Sequence, residues 1–478
     1  MAQRHLDRLS SLDLSFLTNE SSSSHMHVGG ILIFEGPPPS YDDLLEHVTS
    51  RLHLVPRFRQ KLSYPPLQSG RPFWIDDPNF NLEYHVRHSA LPAPGSEGQL
   101  RRMASRVFSQ QLDRTKPLWE LWLVQGLTRK RFALVTKTHH ALVDGVSGVD
   151  IATVLFDLAP EPAPSADAPR PWFPRPEPTA ASLLADALAE LSTPGGMIDG
   201  VRDAVEHPER TLGALGGLIS LARVSGLPGF GGAPRSPLNV PIGTHRRFAW
   251  VDGDLQQFKD IKTALGGTVN DAVLTVVTGA LRAHLIRRGH DVSELELKAM
   301  VPVSVRAEAE RGALGNRVTT MYAPLPVYAQ DPADRFAIVH DAMAGLKESG
   351  QAVGAQAITR LADAAAPTVL DQAARLQSRQ RFFNLTVTNV PGPRVPLYLL
   401  GRRLEEFYPQ VPLVLNTALG VAIMSYDTRI FFGLLGDYDE MADIDAVASD
   451  LNAAIAQLAR AAGVAPRARA AKRAAARA

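Results

Sequence analysis

The sequence predicts an α/β (α+β) protein of two mixed-sheet halves joined by a long linker. Three observations carry that expectation. Strand-like and helix-like segments alternate in both halves, a proline cluster separates them, and 478 residues exceed one ordinary domain of roughly 150 residues. Eight of the 36 prolines (Pro160, Pro162, Pro164, Pro169, Pro171, Pro174, Pro176 and Pro178) fall in that cluster. Proline fixes φ and deletes an amide donor, so this stretch cannot be helix interior or central strand. A second break, rich in Gly and Pro, lies at 225–243. The expected boundaries are 1–160 for the first half, 161–243 for the linker, 244–463 for the second half and 464–478 for a basic tail.

In the first half, HVGGILIFEG from His27 reads as a strand, and Ser40 is a plausible N-cap for a helix through YDDLLEHVTSRL. WELWLVQGL and RFALVTKTHH are β-rich runs on either side of a turn, and GVDIATVLFDL is helical again. Within the linker, ASLLADALAELS and TLGALGGLISLARV carry helical apolar spacing and suggest one to three bridging helices. The second half opens with the strand RRFAWV. A helix capped by Asp254 and ended by glycine follows, then a longer helix from Thr268. LELKAMVPVSVR, MYAPLP, RFFNLTVTNV, TALGVAIMSY and TRIFFGLLGD are strand candidates, the last two forming a hairpin across Asp427. ADIDAVASDLNAAIAQLARAA is a closing helix.

Charge and composition exclude several classes. Lys and Arg number 50 against 49 Asp and Glu, a balance that argues against a bulk nucleic-acid binder. There is no cysteine, which removes disulfides, Cys-ligated zinc, iron–sulfur clusters and a thiol nucleophile. No uncharged apolar run of about 20 residues appears, and MAQRHLDRLSSLDLSFL lacks the apolar core of a secretory signal. The expected location is cytoplasmic, with membrane contact from the surface. Five of the basic residues sit in the last fifteen, leaving residues 1–463 at −4 against +1 for the whole chain. That tail reads either as a solubilising end or as an anchor for anionic lipid.

The sharpest chemical feature is THHALVDGVSG, where a strand pattern ends in His139 and His140 and is followed by Asp144 and Gly145. Alternation on a strand places His140 with Thr138 and Thr136, and His139 with Lys137 on the other face. Only one of the pair then points into a given cleft. Imidazole suits a base near neutral pH. Two other readings stay open on the residues alone: buried core histidines, and a zinc site of His139, His140 and Asp144. Adjacent strand residues diverge, which disfavours the zinc. Asn270 in GGTVNDAV is a candidate oxyanion donor or, alternatively, a first-turn helix residue beside a Thr268 cap and Asp271. Asn389 in TVTNVPGP reads as turn chemistry. No GxxxxGK[ST], strand-bound GxGxxG or GxSxG is present.

HHALVDG resembles the HHxxxDG motif of the chloramphenicol-acetyltransferase-like acyltransferases. PLWELWLVQGL at 117–127, GGTVNDAVLTVVTGALR at 266–282, VPVSVR at 301–306 with GNRVT at 315–319, and NLTVTNVPGP at 384–393 narrow the likeness. Together they look like the bacterial wax ester synthase/acyl-CoA:diacylglycerol acyltransferase family, over nearly the whole chain from LSSLDLSFL. The resemblance implies two such domains with the reaction centre at their interface. It makes His140 the general base for direct acyl transfer without an acyl-enzyme, and gives His139 a strand-shaping role. It makes Asp144 structural, paired with an arginine for which Arg306 is the candidate, and has Gly145 keep the approach to the base clear. Trp119 and Asp271 are expected at the substrate, Trp119 as a large apolar surface that packs the channel wall or core and does not react. Acyl-CoA is then a substrate, not a cofactor, no metal is needed, and the acceptor is diacylglycerol or a long-chain alcohol. Alternatives are a condensation enzyme of the same superfamily with another acceptor, and a non-catalytic protein of lipid-droplet or membrane surfaces.

Overall fold

The computed structural model describes residues 7–66, 71–143, 155–161, 171–183, 232–304, 318–348 and 382–465. In the first half these form β1 (Asp7–Arg8), α1 (Ser11–Asn19), β2 (His27–Phe34), α2 (Tyr41–Arg51), β3 (Gln60–Ser63), β4 (Phe73–Asp76), α3 (Leu82–His85), β5 (Val86–Ala90), α4 (Glu97–Phe108), β6 (Trp119–Leu127), β7 (Arg131–His139) and α5 (His140–Val143). The second half supplies β8 (Arg246–Asp254), α6 (Leu255–Leu265), α7 (Val269–Arg287), β9 (Glu296–Ser304), β10 (Val318–Pro326), α8 (Pro332–Glu348), β11 (Leu385–Pro391), β12 (Tyr398–Leu399), β13 (Arg402–Gln410), β14 (Leu419–Tyr426), β15 (Arg429–Asp437) and α9 (Ile444–Ala461).

Two six-stranded mixed sheets organise the chain, as the sequence predicts. One runs β12-β13-β2-β7-β6-β5 and the other β10-β9-β11-β14-β15-β8, with a small sheet β1-β4-β3 beside them. The expected division at the linker does not separate these sheets. β12 and β13 come from the second half yet lie in the first sheet, where β13 pairs antiparallel with β2 from Leu404–Phe34 to Gln410–Gly29. The crossing is close: a Cβ on Gly433 of β15 would sit 1.8 Å from the Pro409 carbonyl oxygen of β13. Trp250 of β8 also stacks on Tyr408 of β13, ring centroids 4.7 Å apart.

Local chemistry explains the helices that flank the sheets. Ser40 caps α2 by accepting from the Asp43 N–H at 3.0 Å, and Asp254 caps α6 by accepting from Gln257. Gly266 ends α6 at φ +77°, a left-handed position that suits glycine. Among the described residues, α7 is the one helix long and apolar enough to cross a membrane, and two-thirds of its apolar window is buried in the second core. Helix α4 lies against the edge strand β8. Ser105 and Ser109, one turn apart, accept from the Phe248 and Arg246 N–H groups at 3.0 and 2.8 Å. Edge donors that would otherwise be open are thereby paired across the two halves.

The prolines at 171, 174, 176 and 178 lie in chain with neither helix nor strand, as expected of them. Arg175 pins this stretch to the small sheet, donating to Asp76 from its backbone N–H and both Nε and Nη2 at 3.0–3.1 Å. Burial raises the Asp76 carboxyl, but the hydrogen bonds from Arg175 outweigh it and hold the group down at about 2. Most of the predicted linker helices and of GVDIATVLFDL, and all but the first residues of the tail, lie outside the described residues.

Candidate active site around His140

The strand pattern around the paired histidines holds to His139 and then stops. β7 ends at His139, which lies opposite His27 of β2, and His140 opens the short helix α5. Face alternation therefore applies to His139 and Lys137, both fully buried, and not to His140. The change of backbone direction turns His140 out of the sheet and leaves it half-buried. Its N–H donates to the Met26 carbonyl at 2.8 Å. Its ring stacks on Phe16 of α1, centroids 3.9 Å apart and planes inclined by 22°.

The same helix organises what lies behind His140. One turn after Phe16, α1 ends at Glu20, whose buried carboxylate faces two histidines. His139 Nε2 lies 3.6 Å from one carboxylate oxygen and His27 Nε2 3.4 Å from the other. Arg114 closes the group, donating from Nε to Glu20 at 2.8 Å and from Nη2 to the Leu17 carbonyl. Burial raises the Glu20 carboxyl, but His139 and His27 lower it by more, so it stays ionised far below the usual carboxylate range. Burial pushes His27 down to about 3 against the pull of Glu20, so its ring is neutral near pH 7. His139 Nδ1 accepts the Ala141 N–H at 3.1 Å, which puts its ring proton on Nε2, toward Glu20. The core-histidine reading thus describes His139, whereas His140 is half-buried.

Lys137 belongs to the same layer. It stands directly opposite Glu120 in the β6–β7 ladder, with Nζ 3.2 Å from that carboxylate and donating to the Val107 and Gln110 carbonyls. Among the described residues, no group of three or more His, Asp or Glu side chains is arranged to hold a metal ion.

Trp119 is 1% exposed. Its indole N–H donates to the Phe58 carbonyl at 2.8 Å, and its ring stacks on His85 at 4.8 Å. The backbone beside it holds β7, because the His139 N–H donates to the Leu118 carbonyl at 2.9 Å. That packing matches the expectation that Trp119 is a large apolar surface of the channel wall or core. Asp271 is committed likewise. Its carboxylate accepts the Thr268 N–H and pairs with His340 Nδ1, both at 2.8 Å, while Thr268 Oγ1 accepts the Asp271 N–H in a complete capping box.

Asn270 sits between these caps at the second position of α7, half-buried. Its Oδ1 accepts from Asn389 Nδ2 at 3.4 Å. Asn389 is a strand residue of β11, paired in register with Ile423, and not the turn residue expected; the turn begins after it. Asp144, Gly145 and Arg306 lie outside the described residues. The described residues therefore gather into two clusters, Phe16–Glu20–His27–His139–His140 and Asn270–Asp271–His340–Asn389.

Phe16, Glu20 and His27 escaped the sequence reading. A usable signal was present: Lys137 inside an apolar strand demands an acid, and HMHVGG places a histidine on the strand beside HH.

The model of the wax ester synthase/diacylglycerol acyltransferase catalytic domain matches residues 9–273, and that of the C-terminal domain of the same family matches 314–459. The probable diacylglycerol O-acyltransferase tgs2 of Mycobacterium tuberculosis is 34% identical over 470 residues, covering 96% of this chain and 100% of the relative. The solved wax ester synthase/diacylglycerol acyltransferase of Marinobacter aquaeolei VT8 superposes with a TM-score of 0.65 at 29% identity, over 96% of this chain and 100% of that one. The starter condensation domain of rhizomide synthetase shares the fold, with a TM-score of 0.57 at 14% identity over 96% and 94% of the two chains.

Proposed function

The chain belongs to the wax ester synthase/diacylglycerol acyltransferase family, and on that premise we propose that it transfers the acyl group of acyl-CoA to the hydroxyl of diacylglycerol, forming triacylglycerol, with long-chain alcohols as second acceptors. The observation that carries the mechanism is the half-buried His140 at the strand-to-helix break, fixed at its backbone by Met26 and at its ring by Phe16.

In this reading a ring nitrogen of His140 takes the hydroxyl proton as the acceptor oxygen attacks the thioester carbon. Such assistance is worth about 10²–10⁴ in rate. The oxyanion of the tetrahedral adduct receives a hydrogen bond from the Asn270 amide. Collapse breaks the C–S bond, and the departing CoA sulfur takes the proton back from the imidazolium. The thioester is already activated, so neither an acyl-enzyme nor a cofactor nor a metal enters the reading. Asp144 and Gly145 complete the motif beside the base, and Arg306 remains the partner proposed for Asp144.

The substrates are lipids, which supports peripheral contact with a membrane or lipid inclusion from the cytoplasmic side, aided by the basic tail. Deleting 464–478 should reduce co-sedimentation with anionic liposomes; unchanged binding removes the tail from that role. For the activity itself, purified protein is given palmitoyl-CoA with competing diacylglycerol and hexadecanol, and the products are separated by thin-layer chromatography. Triacylglycerol with some wax ester is expected. No ester with either acceptor would leave another acceptor or a non-catalytic lipid-surface role.

A further inference from the structure

The contact between Asn389 and Asn270 assigns a role to a residue that turn chemistry had claimed. We propose that Asn389 is a positioning residue that sets the amide of Asn270 with its nitrogen toward the reacting carbonyl. The proposal rests on the reading of Asn270 as oxyanion donor.

An asparagine amide can present either its oxygen or its NH₂ to a neighbour, and only the NH₂ stabilises a developing oxyanion. The backbone of Asn270 has little freedom, because the capping box of Thr268 and Asp271 brackets it at the start of α7. Its side chain still needs something to choose its flip. Strand parity supplies that partner. Leu385 and Val387 of β11 belong to the core that α7 also lines, and Asn389 continues the same row of the strand. Asn389 Nδ2 then donates to Asn270 Oδ1 at 3.4 Å. With its oxygen engaged, Asn270 keeps its NH₂ for another acceptor. Both side chains are half-buried, so neither is withdrawn from a ligand.

Asn389→Asp tests this because it preserves shape and reverses polarity. An ionised carboxylate accepts only, so it recruits the Asn270 NH₂ and turns the Asn270 oxygen outward. CoA release from palmitoyl-CoA with diacylglycerol can be followed with a thiol reagent, since the protein has no cysteine. Asn270→Ala is expected to lower kcat by about 10²–10³. Asn389→Asp is expected to lower kcat at least about tenfold, with KM for palmitoyl-CoA changed less than about threefold. Combining both should cost no more than Asn270→Ala alone, as for residues acting through one group.

If Asn270→Ala keeps wild-type kcat, the donor reading itself fails and the proposal falls with it. If Asn270→Ala is impaired but Asn389→Asp is not, the proposal alone fails. A double variant slower than Asn270→Ala by the full effect of Asn389→Asp would also overturn it, because Asn389 would then act independently. Should Asn389→Asp not fold, Asn389→Ala carries the same test with a smaller loss of kcat.

Discussion

The His140 imidazole lies face to face with the Phe16 ring, centroids 3.9 Å apart and planes 22° from parallel. The ring beneath His140 thus comes from α1, more than a hundred residues away in sequence. Stacked ring pairs contribute about 0.5–1.5 kcal/mol beyond simple burial, and here the contact also limits rotation of the His140 ring. Phe16→Ala should lower kcat up to about tenfold while Phe16→Tyr retains most of it. Steady-state rates of both variants check this, and a Phe16→Ala enzyme at wild-type kcat would contradict it.

Acid should loosen the fold before it reaches the carboxylates. Burial lowers His27 to about 3, and also lowers His25, His47, His85 and His284. Below about 6.5 the unfolded chain takes up protons at these rings that the folded chain refuses, so stability falls as pH falls. Each such ring contributes a slope of up to about 1.4 kcal/mol per pH unit. Glu20 acts in a separate window: its carboxyl is held low, so its contribution is present above about 4.3 and lost beneath it. Urea midpoints at pH 7.5 and 5.5 provide the measurement. The midpoint should be lower at 5.5; an equal or higher one contradicts the buried neutral histidines.

The proline stretch should come free when its pin is removed. Arg175 bonds Asp76 three times, and Arg59 lies over the neighbouring Trp172 ring at 4.5 Å. Phe173 between them is 80% exposed; Pro174 bars chymotrypsin from the bond after it, so the Trp172–Phe173 bond is the one open to cleavage once the backbone can yield. Arg175→Ala should speed cleavage near Phe173 severalfold under native conditions, read by mass spectrometry of the first fragments. Cleavage at the wild-type rate would mean that the pin does not hold the segment.

Much of this architecture is legible in the residues, and the parts that are not share a cause. Caps are local, so Ser40, Asp254, Thr268 and Gly266 appear in the sequence as they do in the structure. The crossing strand β13 does not: RRLEEFYPQ carries a proline and two adjacent glutamates, which argue against a strand in a sheet. Glu406 is nevertheless fully buried, bonded by the Tyr408 hydroxyl at 2.6 Å and facing Arg131 and Arg429 from elsewhere in the chain. His140 shows the same limit at the site. The motif marks it as special, but the strand-to-helix change at 139–140 comes from tertiary contacts with Met26 and α1. Asn389 reads as a turn because proline and glycine follow it, and only the parallel pairing with β14 keeps it in a strand.

The central claim is that His140 removes the acceptor proton. Its most direct test is His140→Ala, assayed by CoA release from palmitoyl-CoA with and without diacylglycerol, with circular dichroism to confirm the fold. The wild type should release CoA only when the acceptor is present, and the variant should lose at least about 10²-fold of that release while keeping its spectrum. Undiminished, acceptor-dependent release by a folded His140→Ala variant would contradict the account.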